Sequence, residues 1–281
     1  MAKGHRKLEI IARQIQDLSA RLEGEDSALL SSANLKRVRA MVAETSERLR
    51  KCAEGLDPVR MPSFIFEPAN PATAGRIAAV ALIAQPRHSL AGADDDRFYG
   101  SGVYALYYRG SFGAYRHIAK TESPIYVGKA DPADPASRTS VEQEDRLSRR
   151  LRDHKRSITK ASSTLRVEDF DYRALVVQTG YQTSAEDYLI ELFRPIWNNE
   201  VDICYGFGKH GDDPGTRANQ RSPWDTLHPG REWAYRDSRM RNARSIEQIG
   251  QEIDQHLADH PPFQPLDKIV RTFLQLMRAT S

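Results

Sequence analysis

Apolar residues near the start of the chain recur at alternating spacings of three and four: Leu8, Ile11, Ile15, Leu18 and Leu22. That stripe predicts a helix over 5–23. Gly24 to Ser27 break it. A second helix is predicted from near Ser32 to Ala53, with Leu35, Val38, Val42 and Leu49 on one face and Gly55 as its stop. Together they predict a helical hairpin over 1–60. It either packs on the rest of the chain or pairs with a second subunit, and packing is the simpler expectation. Residues 56–70 read as extended. Asn70–Pro71 then reads as a cap followed by a first-turn proline, opening a short apolar helix through Ala84. Residues 91–99 read as a polar loop.

The centre of the chain alternates. Val103 to Tyr108 is apolar and aromatic, the pattern of a strand. Ile125 to Val127 predicts a second short strand, Glu144 to Ile158 a helix and Tyr172 to Val177 a third strand. A helix from Ser184 must end before Pro195. The order β-β-α-β-α predicts an α/β (α+β) unit with a small three-stranded sheet flanked by helices. Residues 205–234 have no periodicity, which marks a functional or disordered segment. Ile246, Ile249, Ile253 and Leu257, then Ile269, Val270, Phe273, Leu274 and Met277, predict two closing helices. The organisation expected is a hairpin (1–60), a core with its preceding helix (61–200), and a loop with C-terminal helices packed on that core (201–281).

Composition narrows the class. With 40% hydrophobic residues in 281, there is enough apolar material for one core of normal size. The longest apolar run, Ile77 to Ala84, is far short of the ~20 residues of a membrane helix. The charged N-terminal segment has no apolar signal region, so a cytoplasmic protein is expected. Cys52 and Cys204 lack partners at metal-ligand spacing, which excludes a disulfide scaffold and a zinc finger. The net charge of +3 hides two basic stretches: residues 137–160 carry +4 and 206–245 carry +3. Such patches suit a polyanion such as nucleic acid, and equally a solvated charged surface.

On a helical wheel, Leu147, Leu151 and Ile158 form an apolar stripe that includes His154. Arg150 lies beside it, one turn before His154, whereas Arg149, Arg152 and Arg156 point to solvent. An inward Arg–His pair is either a buried structural pair or a site where Arg150 holds an oxyanion and His154 handles a proton. In the next helix Glu186 shares the inner face with Leu189, Ile190 and Phe193. Thr183–x–x–Glu186 matches a capping box. A lone inward carboxylate also suits Mg²⁺, which keeps several waters and takes few protein ligands.

The first two strands carry Gly102–Val103–Tyr104 and Tyr126–Val127–Gly128. With Arg150–x–x–x–His154, then Glu186, then Asn198 after the Pro195-terminated helix, this ordered set resembles the GIY-YIG nuclease family over about residues 100–200. Val103 and Val127 stand where the name motif has isoleucine. Tyr104–Ala105–Leu106–Tyr107–Tyr108, the run from Gly206 to Asp213 and the run Ser222 to Arg231 resemble more narrowly the group of its type II restriction endonucleases that cut CCGCGG, which are homodimers. The resemblance implies a bacterial enzyme that hydrolyses double-stranded DNA at a GC-rich palindrome. It implies one divalent ion per site, Mg²⁺ or a substituting Mn²⁺, on Glu186. Arg150 would hold a phosphate oxygen. Tyr104, Tyr126 and His154 would take or place the water's proton, with the immediate acceptor left open, and Asn198 would brace the site. Lys129 is a candidate phosphate contact. Lys209, Arg217, Arg221 and Arg231 are candidates for DNA contact, either to base edges or to phosphates. The alternatives are a repair or homing enzyme of the same family, or a DNA-binding protein on that scaffold without catalysis.

Overall fold

The apolar stripes of the first sixty residues form α1 (Ala2–Gly24) and α2 (Ser32–Leu56). The computed structural model describes residues 2–24, 31–56, 59, 67–208, 220–236 and 238–279. The predicted break after Gly24 and most of the extended stretch 56–70 lie outside them. The chain divides into two compact units, 1–63 and 64–281. In the first, Ile15, Leu18 and Leu22 face a groove shared with Val38, Met41, Val42 and Leu49. The groove stays open: Leu18 is 63% and Met41 59% exposed.

The second unit begins with α3 (Pro71–Ile83), capped as its sequence predicts. The Asn70 side chain accepts from the Ala72 amide at 2.9 Å, and Pro71 fills the first turn where no donor is needed. The sheet follows: β1 (His88–Ser89), β2 (Gly102–Tyr108), β3 (Tyr126–Ala130) and β4 (Phe170–Val176), in spatial order β1-β4-β2-β3 with every pairing antiparallel. The expected three strands are present. The fourth, β1, is a two-residue edge too short to leave a periodic trace.

Every residue of the central strand β2 is buried. Tyr104, Leu106 and Tyr108 pack with Leu147, Leu151 and Ile158 of α4 (Arg146–Lys160), and with Trp197 and Phe207. Val103, Ala105 and Tyr107 pack the other way, with Leu82 of α3 and Leu189 of α5 (Gln182–Phe193). Cover on both faces explains why β2 reads as a continuous apolar run rather than an alternation.

Wherever it is described, the aperiodic stretch 205–234 is packed into the core. Phe207, Trp224, Leu227 and Ala234 are core residues. They sit on a short helix, α6 (Pro223–Leu227), and on turns beside the paired β5 (Gln220–Arg221) and β6 (Arg241–Asn242). Aromatic side chains at irregular spacing fill the core without a period. α7 (Ile246–Asp259) adds Ile249, Ile253 and Leu257 to the same cluster, and α8 (Leu266–Ala279) adds Ile269 to the opposite one. Among the described residues, no helix is long and apolar enough to cross a membrane.

Candidate active site

The two glycine–tyrosine tripeptides meet across one ladder. β2 and β3 pair in a register that sets Tyr104 opposite Gly128 and Leu106 opposite Tyr126. Tyr104 and Tyr126 therefore project from the same face. A Cβ on Gly128 would lie 2.4 Å from the Tyr104 hydroxyl oxygen, so the bare glycine is what lets the phenol lie across β3. At Gly102 a Cβ would lie 2.0 Å from the Leu175 carbonyl of β4, so this glycine admits a close backbone approach.

α4 brings its inward histidine to the same place. His154 is fully buried, and its Nε2 shares a hydrogen bond of 2.5 Å with the Tyr104 hydroxyl. Burial, with Tyr126 adding to it, holds the Tyr104 phenol well above its ordinary range, so the phenol keeps its proton. Arg150, one turn earlier and half-buried, lies in the field of both phenols and donates through Nη2 to the Gly208 carbonyl at 3.0 Å. Arg149 and Arg156 are exposed, as the wheel predicts. Arg152 is not: it is largely covered and bonded to Asp145 and to the Ser148 hydroxyl at 2.8 Å each. Those acceptors lie on its own helix and at its start, and a wheel of apolar positions does not register them.

Glu186 stands at the rim. Its helix starts at Gln182, two residues earlier than expected, and the capping box does not form. The Thr183 hydroxyl instead accepts from the Lys129 ammonium at 2.9 Å, and Lys129 also pairs with Asp131 at 3.0 Å. Burial pushes the Glu186 carboxyl up to about 7, against the pull of Lys129; Glu200, Asp187 and Asp131 add repulsion. Tyr126 feels both Glu186 and Arg150, so the rim carboxylate belongs to the same electrostatic neighbourhood as the phenols. No described residue donates a hydrogen bond to this carboxylate. A half-buried carboxylate, raised chiefly by burial and without a hydrogen-bond donor among the described residues, fits a divalent cation. Among the described residues no group of three or more His, Cys, Asp or Glu side chains could form a closed metal cage, and one carboxylate plus waters is a magnesium arrangement.

Asn198 works on the backbone. Its side chain accepts from the Val127 amide at 3.0 Å and donates to the Val127 carbonyl at 2.9 Å. It takes the place of a neighbouring strand along the free edge of β3, between Tyr126 and Gly128.

The expected DNA contacts fare less well. Arg231 is 2% exposed, with its guanidinium spent inside the fold on Asp225 and on the carbonyls of Gly206 and Phe207. Arg221 donates to the Ala234 carbonyl and to Asn242, and lies over the Tyr235 ring. Both guanidiniums are held within the chain, by carbonyls, polar side chains and aromatic faces. Lys209 and Arg217 lie outside the described residues. His228 is a core histidine: burial and Arg231 pull its imidazole down to about 3, and both ring nitrogens are bonded, to Tyr115 and Thr164.

Sequence reasoning missed Phe207. Its ring stacks on His154, 4.5 Å between centroids at an angle of 20°, and meets Tyr126 edge-on. The run Gly206–Phe207–Gly208 was the available signal, an aromatic between two glycines. The site thus unites Tyr104, Tyr126, Arg150 and His154, with Glu186 at its rim and Asn198 beneath.

A family model described as the Eco29kI GIY-YIG domain matches residues 96–257, more than half of the chain. No curated protein matches it.

Proposed function

The chain belongs to the Eco29kI GIY-YIG domain family, and from that premise we propose that this nuclease is a type II restriction endonuclease, a homodimer that cuts both strands of DNA at a GC-rich palindrome such as CCGCGG with Mg²⁺ as cofactor. The observation that carries the reading is the Tyr104–His154 hydrogen bond, with Arg150 beside it and a donor-free Glu186 at the rim.

Phosphodiester hydrolysis needs an aligned water, an acceptor for its proton, charge neutralisation at phosphorus and help for the leaving oxygen. Tyr104 and His154 supply the acceptor together. As the phenol oxygen takes the water's proton, its own proton passes along the same hydrogen bond to His154, in the tautomer whose Nε2 is unprotonated. Arg150, with a planar fork of donors, neutralises a non-bridging phosphate oxygen, which would displace the Gly208 carbonyl from Nη2. Tyr126 orients the water from the same strand face. Glu186 would hold the divalent ion, which when bound supplies Lewis-acid stabilisation of the phosphate and the leaving 3′ oxygen. Lys129, on β3 and tethered to Thr183 and Asp131, adds positive charge near Glu186. Asn198 keeps β3, and so Tyr126, in place. A two-fold dimer reads a palindrome with equivalent halves.

Incubation with unmethylated plasmid and Mg²⁺, followed by mapping of the ends, tests this. The expected result is discrete fragments ending at one repeated palindrome. Random nicking, or cutting only at branched structures, would replace the restriction reading with another DNA nuclease activity. Retardation of DNA without cleavage under any metal would contradict catalysis.

A further inference from the structure

Asp225 and Arg231 form the most deeply buried ion pair among the described residues, with side chains 0% and 3% exposed. The hydrolysis has no use for them. Asp225 sits in the first turn of α6, where Ser222 caps the helix and donates to Oδ2 at 2.6 Å. Arg231 Nε donates to Oδ1 at 2.7 Å. That contact turns the rest of the fork forward: Nη2 reaches the Gly206 carbonyl at 2.9 Å and Nη1 the Phe207 carbonyl at 3.1 Å. The guanidinium is held flat by Trp224 and Trp233, 4.4 and 4.9 Å from the ring centroids. A planar cation with five donors on three nitrogens reaches a carboxylate and two separate carbonyls at once, whereas a lysine would have to serve all three from a single nitrogen.

The strap that Arg231 holds is the one that covers the site. Gly206 has φ +106°, and a Cβ there would lie 2.2 Å from the Ser222 hydroxyl oxygen, so the strap rests directly on the cap of α6. Phe207 stacks on His154. The next carbonyl, of Gly208, accepts from Arg150, and a Cβ on Gly208 would lie 2.7 Å from the Tyr126 hydroxyl oxygen. Phe207 and Gly208 therefore touch three of the site's side chains, His154, Arg150 and Tyr126, and the carbonyls of Gly206 and Phe207 end on one arginine.

We infer that Arg231 and Asp225 are positioning residues of the nuclease site, fixing the 206–208 strap and, through it, the plane of the His154 ring and the reach of Arg150. The kinetic part of this inference rests on the nuclease reading, and its structural part does not.

The test uses the full chain with Arg231→Met, Arg231→Lys and Gly208→Ala. It measures kcat and KM on plasmid DNA, and amide hydrogen exchange without DNA. Misplacing reacting groups by about 1 Å costs on the order of a hundredfold, so Arg231→Met is expected to lose about that much in kcat. KM should stay within about threefold, because ground-state binding of DNA is not what the strap provides. Arg231→Lys, which keeps the charge opposite Asp225, recovers part of the loss. Exchange rises over 205–208 while α4 keeps its protection. Should Arg231→Met fail to fold, Gly208→Ala decides: it leaves the ion pair intact, displaces the strap from Tyr126, and is expected to lower kcat at unchanged thermal stability. A raised KM with wild-type kcat would make Arg231 a DNA contact and overturn the inference. So would wild-type exchange over 205–208 in Arg231→Met, or wild-type kcat in Gly208→Ala. If the wild type cuts no DNA, the nuclease reading fails, and the exchange measurement alone settles the anchoring.

Discussion

The hairpin and the segment 201–236 are opposites. α1 and α2 have the clearest periodicity in the chain, yet Leu8, Ile11, Leu18, Leu22, Met41 and Val42 are each more than 40% exposed. The later segment has no period, yet Cys204, Phe207, Trp224, Asp225, His228 and Arg231 are almost wholly buried. Periodicity reports which regular element a stretch will form. It says nothing of how much that stretch contributes to a core. An irregular segment can bury more per residue when its aromatic groups fit a gap left by helices and strands, and when its polar groups pair with one another.

The largest effect should come from the irregular segment. Trp224 is fully buried among Trp197, Phe207 and His228. Trp224→Ala is expected to cost about 3–5 kcal/mol in urea unfolding, the range of large aromatic truncations in cores. A loss below about 1 kcal/mol would mean that the segment is not part of the core. Asn198→Ala strands the amide and carbonyl of Val127, so about 1–3 kcal/mol is expected, together with faster hydrogen exchange along β3.

Glu186 has a stability effect whose sign depends on pH. Its folded-state value of about 7 exceeds its unfolded value near 4.5, so the folded chain holds the proton more tightly between the two. The carboxyl's favourable contribution is complete below about pH 4.5 and is lost as pH rises through 7. Metal-free Glu186→Gln should therefore match the wild type at pH 4 and exceed it at pH 8. The gain is on the order of 1–3 kcal/mol, each pKa unit being worth about 1.4. Thermal melts at the two pH values check this, and an equal offset at both would contradict the burial of that carboxylate. The smallest effect belongs to the hairpin: Leu18→Ala is expected to change stability by less than about 0.5 kcal/mol, as exposed positions do. A larger loss in the same urea assay would show the stripe to be covered.

Which parts of this could be read from the chain follows the same division. Asn70–Pro71 marked the start of α3, because capping is local chemistry. The wheel placed His154 inside and Arg150 beside it, because α4 faces one sheet along its length. The glycine–tyrosine tripeptides pointed to one strand pair, and the register that sets Tyr104 over Gly128 explains why. Thr183 misled, since a capping box and a lysine partner look alike in sequence. Arg231 misled more. Residue type suggested a surface cation, whereas its environment is made of Asp225, two tryptophans and two carbonyls contributed by other turns. β1 was illegible because two residues carry no pattern.

The central claim is that Glu186 holds the catalytic cation while Arg150 and the Tyr104–His154 pair do the rest. It is tested most directly by titrating Mg²⁺ into wild type and Glu186→Gln and following both plasmid cleavage and DNA retardation. The account predicts metal-dependent cleavage by the wild type, with an affinity for Mg²⁺ that weakens as pH falls below about 7. Cleavage should be lost by at least about a thousandfold in the variant, the scale of removing a principal electrostatic stabiliser, with DNA still retarded. Cleavage by Glu186→Gln at the wild-type rate and with the wild-type metal requirement would contradict it.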